Sequence, residues 1–449
     1  MGKKTKTWRA RAGLNPARTA ALSFAIMILA GTLLLLLPAM SRSGESPGLF
    51  TSLFTSASAV CVTGFTLADT ASQWSFAGQL VILVLVQLGA LGFMMAYSLI
   101  LLLFRREIIL SQRVTLASAL GLRSIGGVTR LVRHGLIGTI FFELAGTLLL
   151  AVRFVPEYGW GDGLWKSLFH AVSAFCNAGF ELMGGGLWDF ADDPHVLMVH
   201  MMLTVIGGLG FFVWEDLLRA KNWRSLTLYS RLAISATGVL LLLGWVYFTW
   251  AEWSNPATLG AMAPADRVVG GLFQSVNLRT AGFALFDQGE MGEAAQAVSL
   301  LFMVIGGCSG STACGIKVVT ALVLAAALWA GLWGRPETVI AGRTIPRDQV
   351  RNAMTLTFVV VITAFLAAVV LAHWEGLPFL PVLFETVAAI GTVGLSTGIT
   401  AGLTMFSQSI LLALMFLGRA GVLALSLAFL IRRPAETRIA YPTCDLFIG

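Results

Sequence analysis

Residues 168–180 read LFHAVSAFCNAGF, and the same pattern returns three more times: LFTSASAVCVTGF at 53–65, LFQSVNLRTAGF at 272–283 and LFETVAAIGTVGL at 383–395. Each copy opens with Leu-Phe, runs through small and β-branched residues, and arrives at a glycine followed by an apolar residue. The glycines are Gly64, Gly179, Gly282 and Gly394; the third copy is one residue shorter between its phenylalanine and its glycine. One match alone carries little information. Four in order, each at the same place in the hydropathy pattern, mark an internal repeat that sets the architecture.

Outward from each copy the chain is apolar on both sides. Of its 449 residues 57% are hydrophobic and only 12% charged, about half the charged fraction of a soluble domain. Runs near 19–40, 131–155, 231–252 and 351–374 precede the copies, and runs near 76–104, 196–218, 294–333 and 404–431 follow them. Each is long enough to cross a hydrocarbon core as a helix, which takes about 20 residues. The first run is longer than the apolar core of a signal peptide, about 7–15 residues, and reads as an uncleaved membrane helix. The repeated stretch, with about ten helix-compatible residues, is too short to span and must enter and leave by one face. The predicted fold is an all-α integral membrane protein: four tandem helix–pore loop–helix repeats, eight transmembrane helices, around a single pseudo-fourfold pore. The chain divides into a basic N-terminus (1–18), repeat 1 (19–105), repeat 2 (125–220), repeat 3 (228–334), repeat 4 (350–432) and a C-terminal tail (433–449).

The net charge of +7 is distributed in alternation. Lysines and arginines gather at the N-terminus and in 105–133, 219–231, 334–351 and 431–438, while the connections 43–48, 67–74, 156–163, 181–195 and 286–293 carry mostly acids. That positive-inside pattern puts both termini in the cytoplasm, which requires an even number of crossings. It leaves an acidic outer face that concentrates cations, and no nucleic-acid partner is expected. The five cysteines (Cys61, Cys176, Cys308, Cys314, Cys444) are scattered without a CxxC pair, indicating neither a disulfide framework nor a zinc site. His195 and His200 lack the spacing and glutamate of a zinc-protease helix.

Non-helical backbone at membrane depth is tolerated only where protein buries it or where it lines a wet path. Four such loops around one axis point the negative ends of four short helices at the middle, favouring a cation there. An extended strand beyond each helix can aim its carbonyls inward and replace the hydration shell of an ion. The glycine belongs there because carbonyls facing one axis require φ > 0.

The loops CVTGF, SAFCNAGF, RTAGF and GTVGLSTGIT, together with GGCSGSTACGIK at 306–317, resemble the Trk/Ktr/HKT superfamily of potassium-uptake proteins. The similarity is closest to its Ktr-type membrane subunit and covers essentially the whole chain. The resemblance implies potassium as the transported substrate, and glycine at all four filter positions implies potassium rather than sodium. Carried onto this sequence, the filter comprises Val62, Thr63, Gly64, Asn177, Ala178, Gly179, Thr280, Ala281, Gly282, Thr392, Val393 and Gly394, which would hold the potassium ion.

The apolar run after the third copy is about twice the length a crossing needs, and its middle is Gly306, Gly307, Cys308, Ser309, Gly310, Ser311, Thr312, Ala313, Cys314, Gly315, Ile316 and Lys317. Glycine costs a helix about 1 kcal/mol per residue relative to alanine, so the helix is expected to break here, below the filter. The resemblance makes this run an intramembrane gate loop in the cytoplasmic half of the pore. It also makes Arg419, in LLALMFLGRAGVLALSL, an electrostatic barrier beside that loop, with Lys317 helping to hold it. Family members often carry GGSTGG-like residues where this chain has Cys308, Ala313 and Cys314, which keeps the size and adds thiols open to oxidation. A charge at the depth of Arg419 costs about 2.5–3.5 kcal/mol and belongs in the interior. Arg279 is expected to point behind the filter and brace it. Glu385 is read as a structural charge at the start of the fourth short helix, and Glu143 has no assigned role.

The Ktr resemblance further implies a homodimer resting on a cytoplasmic nucleotide-binding RCK-type ring; the basic inner loops suit that partner and membrane lipid equally. No Walker or GxGxxG motif is present, so no cofactor is assigned to this chain and nucleotide regulation is expected only through the partner. Sodium activation and sodium coupling are not distinguished by these residues. The compact layout places the protein in a bacterial plasma (inner) membrane, as a multi-pass protein. Of the other readings, a polytopic membrane enzyme lacks HExxH, GxSxG or a clustered Asp pair, and a carrier with inverted repeats conflicts with copies that keep one orientation. A sodium-conducting or sodium/potassium-cotransporting relative, marked in the family by serine at the first filter position, is the serious alternative; Gly64 stands there instead.

Overall fold

The computed structural model describes residues 16–103, 128–184 and 186–421. The N-terminal basic stretch, most of the basic connection 105–133, the C-terminal tail 433–449 and Cys444 lie outside the described residues. One order of elements occurs four times: an outer helix, a short helix, a loop and an inner helix. The first unit is Pro16–Leu35, Leu49–Cys61 and Phe76–Leu103. The second is Val128–Tyr158, Trp160–Cys176 and an inner helix in two pieces, Pro194–Leu209 and Phe211–Arg219. The third is Leu228–Ala251, Pro264–Asn277 and an inner helix split into Glu293–Val304 and Val318–Leu332. The fourth is Arg347–Glu375, Phe379–Gly391 and Met405–Phe416, which runs on into a π-helical turn, Leu417–Gly421. Among the described residues the only strands are Val339–Ile340 and Arg343–Thr344, an antiparallel pair between the third and fourth units.

Local chemistry explains where these helices begin. Asp193 accepts from the amides of His195 (3.0 Å) and Val196 (3.4 Å) with Pro194 in the first turn, satisfying amides with no partner inside the helix. Thr227 caps the third outer helix through Ser230 N at 3.3 Å. The outer helices expose apolar stripes at helical spacing, such as Leu22, Ile26, Leu29 and Leu33 on the first and Phe358, Val361 and Phe365 on the fourth. Stripes of that extent are out of place in water and suit hydrocarbon. Among the described residues, Arg133–Tyr158, Leu228–Ala251 and Arg347–Glu375 are each long and apolar enough to cross a membrane, and the bent pair of the second unit makes a fourth if counted as one span.

The inner helices depart from the continuous runs expected from sequence. That of the second unit bends by 91° at Gly210, and that of the first kinks at Gly92, whose φ is 72°. The third opens into a loop from Ile305 to Lys317, close to the expected break. In each case glycine supplies backbone angles that would strain any other residue.

The core lies where the short helices meet. Each packs on the inner helix of the preceding unit, and the first packs on that of the fourth, closing a ring. The phenylalanine of every Leu-Phe pair (Phe54, Phe169, Phe273, Phe384) is fully buried, as is the apolar residue after each glycine (Phe65, Phe180, Phe283, Leu395). The repeated apolar letters are therefore anchors that hold the loop between them.

Candidate functional site

The short helices end at the closed ring. In the first, second and fourth units the last helical residue is followed by one in the left-handed region: Val62 (φ 57°), Asn177 (58°) and Thr392 (49°). The next amide donates to the carbonyl five residues back: Thr63 to Ser58 at 2.9 Å, Ala178 to Ser173 at 2.8 Å, and Val393 to Ala388 at 2.8 Å. This is the Schellman closure that usually employs glycine. For β-branched Val62 and Thr392 such angles are outliers, with a strain of about 1–3 kcal/mol each that only the surrounding structure can hold. The third unit, one residue shorter, ends its helix at Asn277; there Thr280 is left-handed (φ 66°) and Ala281 N donates to Asn277 O at 3.1 Å.

Two residues beyond each left-handed position comes the repeated glycine, with φ of 91° at Gly64, 69° at Gly179, 80° at Gly282 and 84° at Gly394. A methyl group built on Gly64 would lie 2.5 Å from Ala178 O, on Gly179 2.9 Å from Ala281 O, and on Gly282 2.5 Å from Val393 O. On Gly394 it would overlap Thr63 O outright. Each glycine thus faces the carbonyl preceding the glycine of the next unit, and the fourth faces the first. Glycine is required here for space as well as for backbone angle.

The carbonyls of Val62, Thr63, Gly64 and of the matching triplets at 177–179, 280–282 and 392–394 accept no hydrogen bond among the described residues. The hydroxyls of Thr63 and Thr280 are buried and equally unpaired among the described residues. Buried carbonyls are almost always satisfied by protein, water or a ligand, so a ring of free ones is a surface prepared for a polar guest. The amides of Thr63, Ala178, Ala281 and Val393 point back into the helices while the carbonyls of the ring are left over, which suits a cation. The ring brings together all twelve sequence-predicted filter positions.

The loop 305–317 lies against this ring. Thr312 Oγ1 donates to Phe175 O (3.1 Å) in the last turn of the second short helix, and Arg279, which follows the third, donates through Nη2 to Gly306 O at 3.3 Å. Arg279 is buried and joins the end of the third short helix to loop 305–317. Cys308 N donates to Gly208 O at 2.9 Å, Phe211 N to Gly310 O at 3.0 Å, and Tyr229 OH accepts from Ser309 N at 2.9 Å. Lys317 Nζ donates to Ala313 O at 2.8 Å. Arg419 is buried in the π-helical turn; its Nη1 donates to Thr312 O (2.7 Å) and Cys314 Sγ (2.6 Å), and its Nη2 to the carbonyls of Gly89 and Ala90 (3.1 Å). One guanidinium therefore ties loop 305–317 to the inner helix of the first unit. Cys308 and Cys314 are buried free thiols.

Two readings change. Glu385 is not at the start of its helix but in the middle of Phe379–Gly391, with its carboxylate turned toward residues 396–400. Glu143 is buried between units: Cys176 Sγ lies 3.9 Å from its Oε1 and 3.2 Å from Gln87 Oε1 of the first inner helix.

Sequence reasoning missed a second repeat. The inner helices carry Gly89-x-x-Gly92, Gly207-x-x-Gly210, Gly307-x-x-Gly310 and Gly418-x-x-Gly421. The second glycine has positive φ in the first three units and closes the π-helical turn in the fourth. The first glycine lets the helix backbone touch the carbonyl of Val60, Phe175 or Ile390 in units one, two and four, where a methyl group would collide. The spacing was visible as a fourfold motif inside runs otherwise read as unbroken helix.

The broken inner helices and the exposed apolar stripes, with the short helices closing a ring at the centre, are those of a helical membrane protein. A family model described as TrkH, cation transport protein, matches residues 4–441, and the chain belongs to that family. It is 39% identical over 446 residues to the potassium/sodium uptake protein NtpJ of Enterococcus hirae, covering 98% of this chain and 99% of that one. It is 38% identical over 435 residues to Ktr system potassium uptake protein B of Bacillus subtilis, covering 97% of each chain. The crystal structure of the potassium transporter TrkH from Vibrio parahaemolyticus superposes with a TM-score of 0.72 at 18% identity, over 94% of this chain and 86% of that one. That likeness establishes the shared fold.

Proposed function

We propose that the protein carries potassium selectively across the membrane, through a channel-like pore whose filter is the glycine ring and whose gate is loop 306–317. The observation that carries this reading is the closed cycle of four glycines with twelve carbonyls that accept no hydrogen bond among the described residues. Carbonyl rings of this kind replace the hydration shell of a dehydrated cation. The names of the relatives, potassium uptake proteins over nearly the full chain, support potassium as the cargo. Counting each broken inner helix as one crossing gives eight, with both termini on the cytoplasmic side, in four repeats around one pseudo-fourfold pore.

Arg419 acts as the barrier in that gate, held against the loop by its bonds to Thr312 and Cys314. The chain itself is a transporter and not an enzyme. Two relatives are named as parts of a Ktr system, which supports a cytoplasmic partner; a homodimer on an RCK-type nucleotide-binding ring in a bacterial plasma membrane is the assembly proposed. Sodium transport or cotransport is the second reading, favoured by the name potassium/sodium uptake protein on the Enterococcus hirae relative.

Competitive rubidium uptake into proteoliposomes, with potassium or sodium as competitor, separates the two. Strong competition by potassium alone, weakened in Gly64→Ser, is the expected result, because the serine Cβ must push back the Ala178 carbonyl. Equal competition by both ions in the wild type would rule out a potassium filter.

A further inference from the structure

Immediately after the phenylalanine of each Leu-Phe pair stands a polar residue: Thr55, His170, Gln274 and Glu385. All four are buried within a short helix, where an uncompensated polar group costs free energy. In three units the side chain reaches across to the segment that leaves the filter. Glu385 Oε1 accepts from Ser396 Oγ (2.8 Å), Thr397 N (2.7 Å) and Thr397 Oγ1 (2.9 Å), and its Oε2 accepts from Thr400 Oγ1 at 2.5 Å. His170 Nε2 accepts from Leu182 N at 3.1 Å. Gln274 Nε2 donates to Gln288 Oε1 at 2.6 Å, and Gln288 Nε2 in turn donates to Phe286 O at 3.1 Å.

The bonded positions follow the filter glycine closely. Leu182 and Thr397 are each three residues beyond Gly179 and Gly394, and Phe286 is four beyond Gly282. The histidine arrangement is fixed by its partners. His200 Nδ1 faces Val196 O at 2.8 Å and so carries a proton, which leaves His200 Nε2 to accept from His170 Nδ1 at 3.2 Å. His170 Nε2 is then the acceptor that the Leu182 amide needs. Thr55, the shortest of the four, makes no such bond to residues 65–75 among the described residues. The outgoing first segment is tied by Asp69, which caps Ala71 and Ser72, and by the bridge between Ser41 and Trp74.

We propose that the residue after the Leu-Phe pair in the second, third and fourth units is a positioning residue for selectivity: His170, Gln274 and above all Glu385 clamp the strand leaving the filter and so fix the width of the glycine ring without touching the ion. The proposal rests on the ring being the filter. A ring of carbonyls discriminates between ions of different size or hydration only as well as its geometry is held. The strand leaving it is the one side the short helix does not already fix through its backbone. Glu385, with four donors converging on an acceptor-only group, holds its loop most firmly. The first unit, without this brace, is the compliant side of the ring.

The test is the ratio of sodium to potassium concentrations that halve rubidium uptake by the full-length protein in proteoliposomes. It is measured for wild type, Glu385→Gln, Gly64→Ser and the double variant Thr397→Val/Thr400→Val. A purely structural role would lower uptake without moving the ratio. Glu385→Gln keeps the shape but turns an acceptor into a donor, and is expected to lower the ratio about fivefold, the loss of roughly one hydrogen bond in holding the strand. The double variant keeps Glu385 and its bond to the Thr397 amide, and is expected to lower it about twofold. A folded Glu385→Gln protein with the wild-type ratio overturns the proposal. Should that variant not fold, an unchanged ratio in the double variant does the same. If Gly64→Ser lowers the ratio while both brace variants leave it alone, only the positioning proposal falls. If Gly64→Ser also leaves it alone, the filter reading falls, and the proposal with it.

Discussion

The glycine ring and the loop that lies against it are both made of glycine and small residues, yet they are held differently. The ring is fixed chiefly by backbone: the amides of Thr63, Ala178, Ala281 and Val393 return into the short helices, its glycines abut the next unit's carbonyls, and its own carbonyls accept no bond among the described residues. The loop also has main-chain bonds, among them Cys308 N to Gly208 O and Phe211 N to Gly310 O, but it is tied in addition by long side chains: Tyr229, Arg279 and Arg419 from elsewhere and Lys317 from its own end. A structure built from main-chain geometry keeps one shape. One tied in addition by long side chains has a second state available once those ties are released. The proposed filter and gate would need that difference.

Substitutions in the two regions should therefore fail in opposite directions. The largest effect is expected for Gly394→Ala, where a methyl group would overlap Thr63 O at a φ of 84°. The angle alone costs about 1–3 kcal/mol, and rubidium uptake should fall well below the wild-type level; near-normal uptake would mean the ring is not rigid. Arg419→Ala frees two partners in the loop and two in the first inner helix. Uptake should rise about tenfold, since a charged hydrogen bond contributes about 1.5–3 kcal/mol. Unchanged uptake would leave that arginine as a packing tie. Tyr229→Phe removes a single ordinary hydroxyl from Ser309 and should raise uptake about twofold, in keeping with roughly 1 kcal/mol or less. A fall in uptake for either of these two variants would make the loop part of the conducting path rather than an obstacle to it.

Much of this was legible in the letters. The four Leu-Phe…Gly copies located the ring because glycine at fixed spacing has few alternatives in an apolar run. GGCSGSTACGIK announced its break because too many poor helix formers stand together. The left-handed angles at Val62, Thr280 and Thr392 were invisible, since β-branched residues are the last ones expected there and only tertiary packing holds them. The brace at Glu385 was misread for a related reason. A carboxylate near a short helix has a simple local explanation at the N-terminus, and nothing in the sequence says that its partners lie 11–15 residues downstream. The bends at Gly92 and Gly210 were passed over because a lone Gly-x-x-Gly costs a long helix too little to predict a break, and the fourfold recurrence was the missing clue.

That recurrence says something about how such a molecule comes to exist. The break in the third inner helix sits at the Gly-x-x-Gly position where the first kinks, the second turns by 91° and the fourth slips into a π turn. Duplicating a unit whose inner helix already has a weak point supplies four hinges at one depth. In the first and second units helix resumes directly after the pair, in the fourth a π-helical turn holds it, and only in the third does the chain open into loop 305–317, so the proposed gate stands at a joint that all four units share.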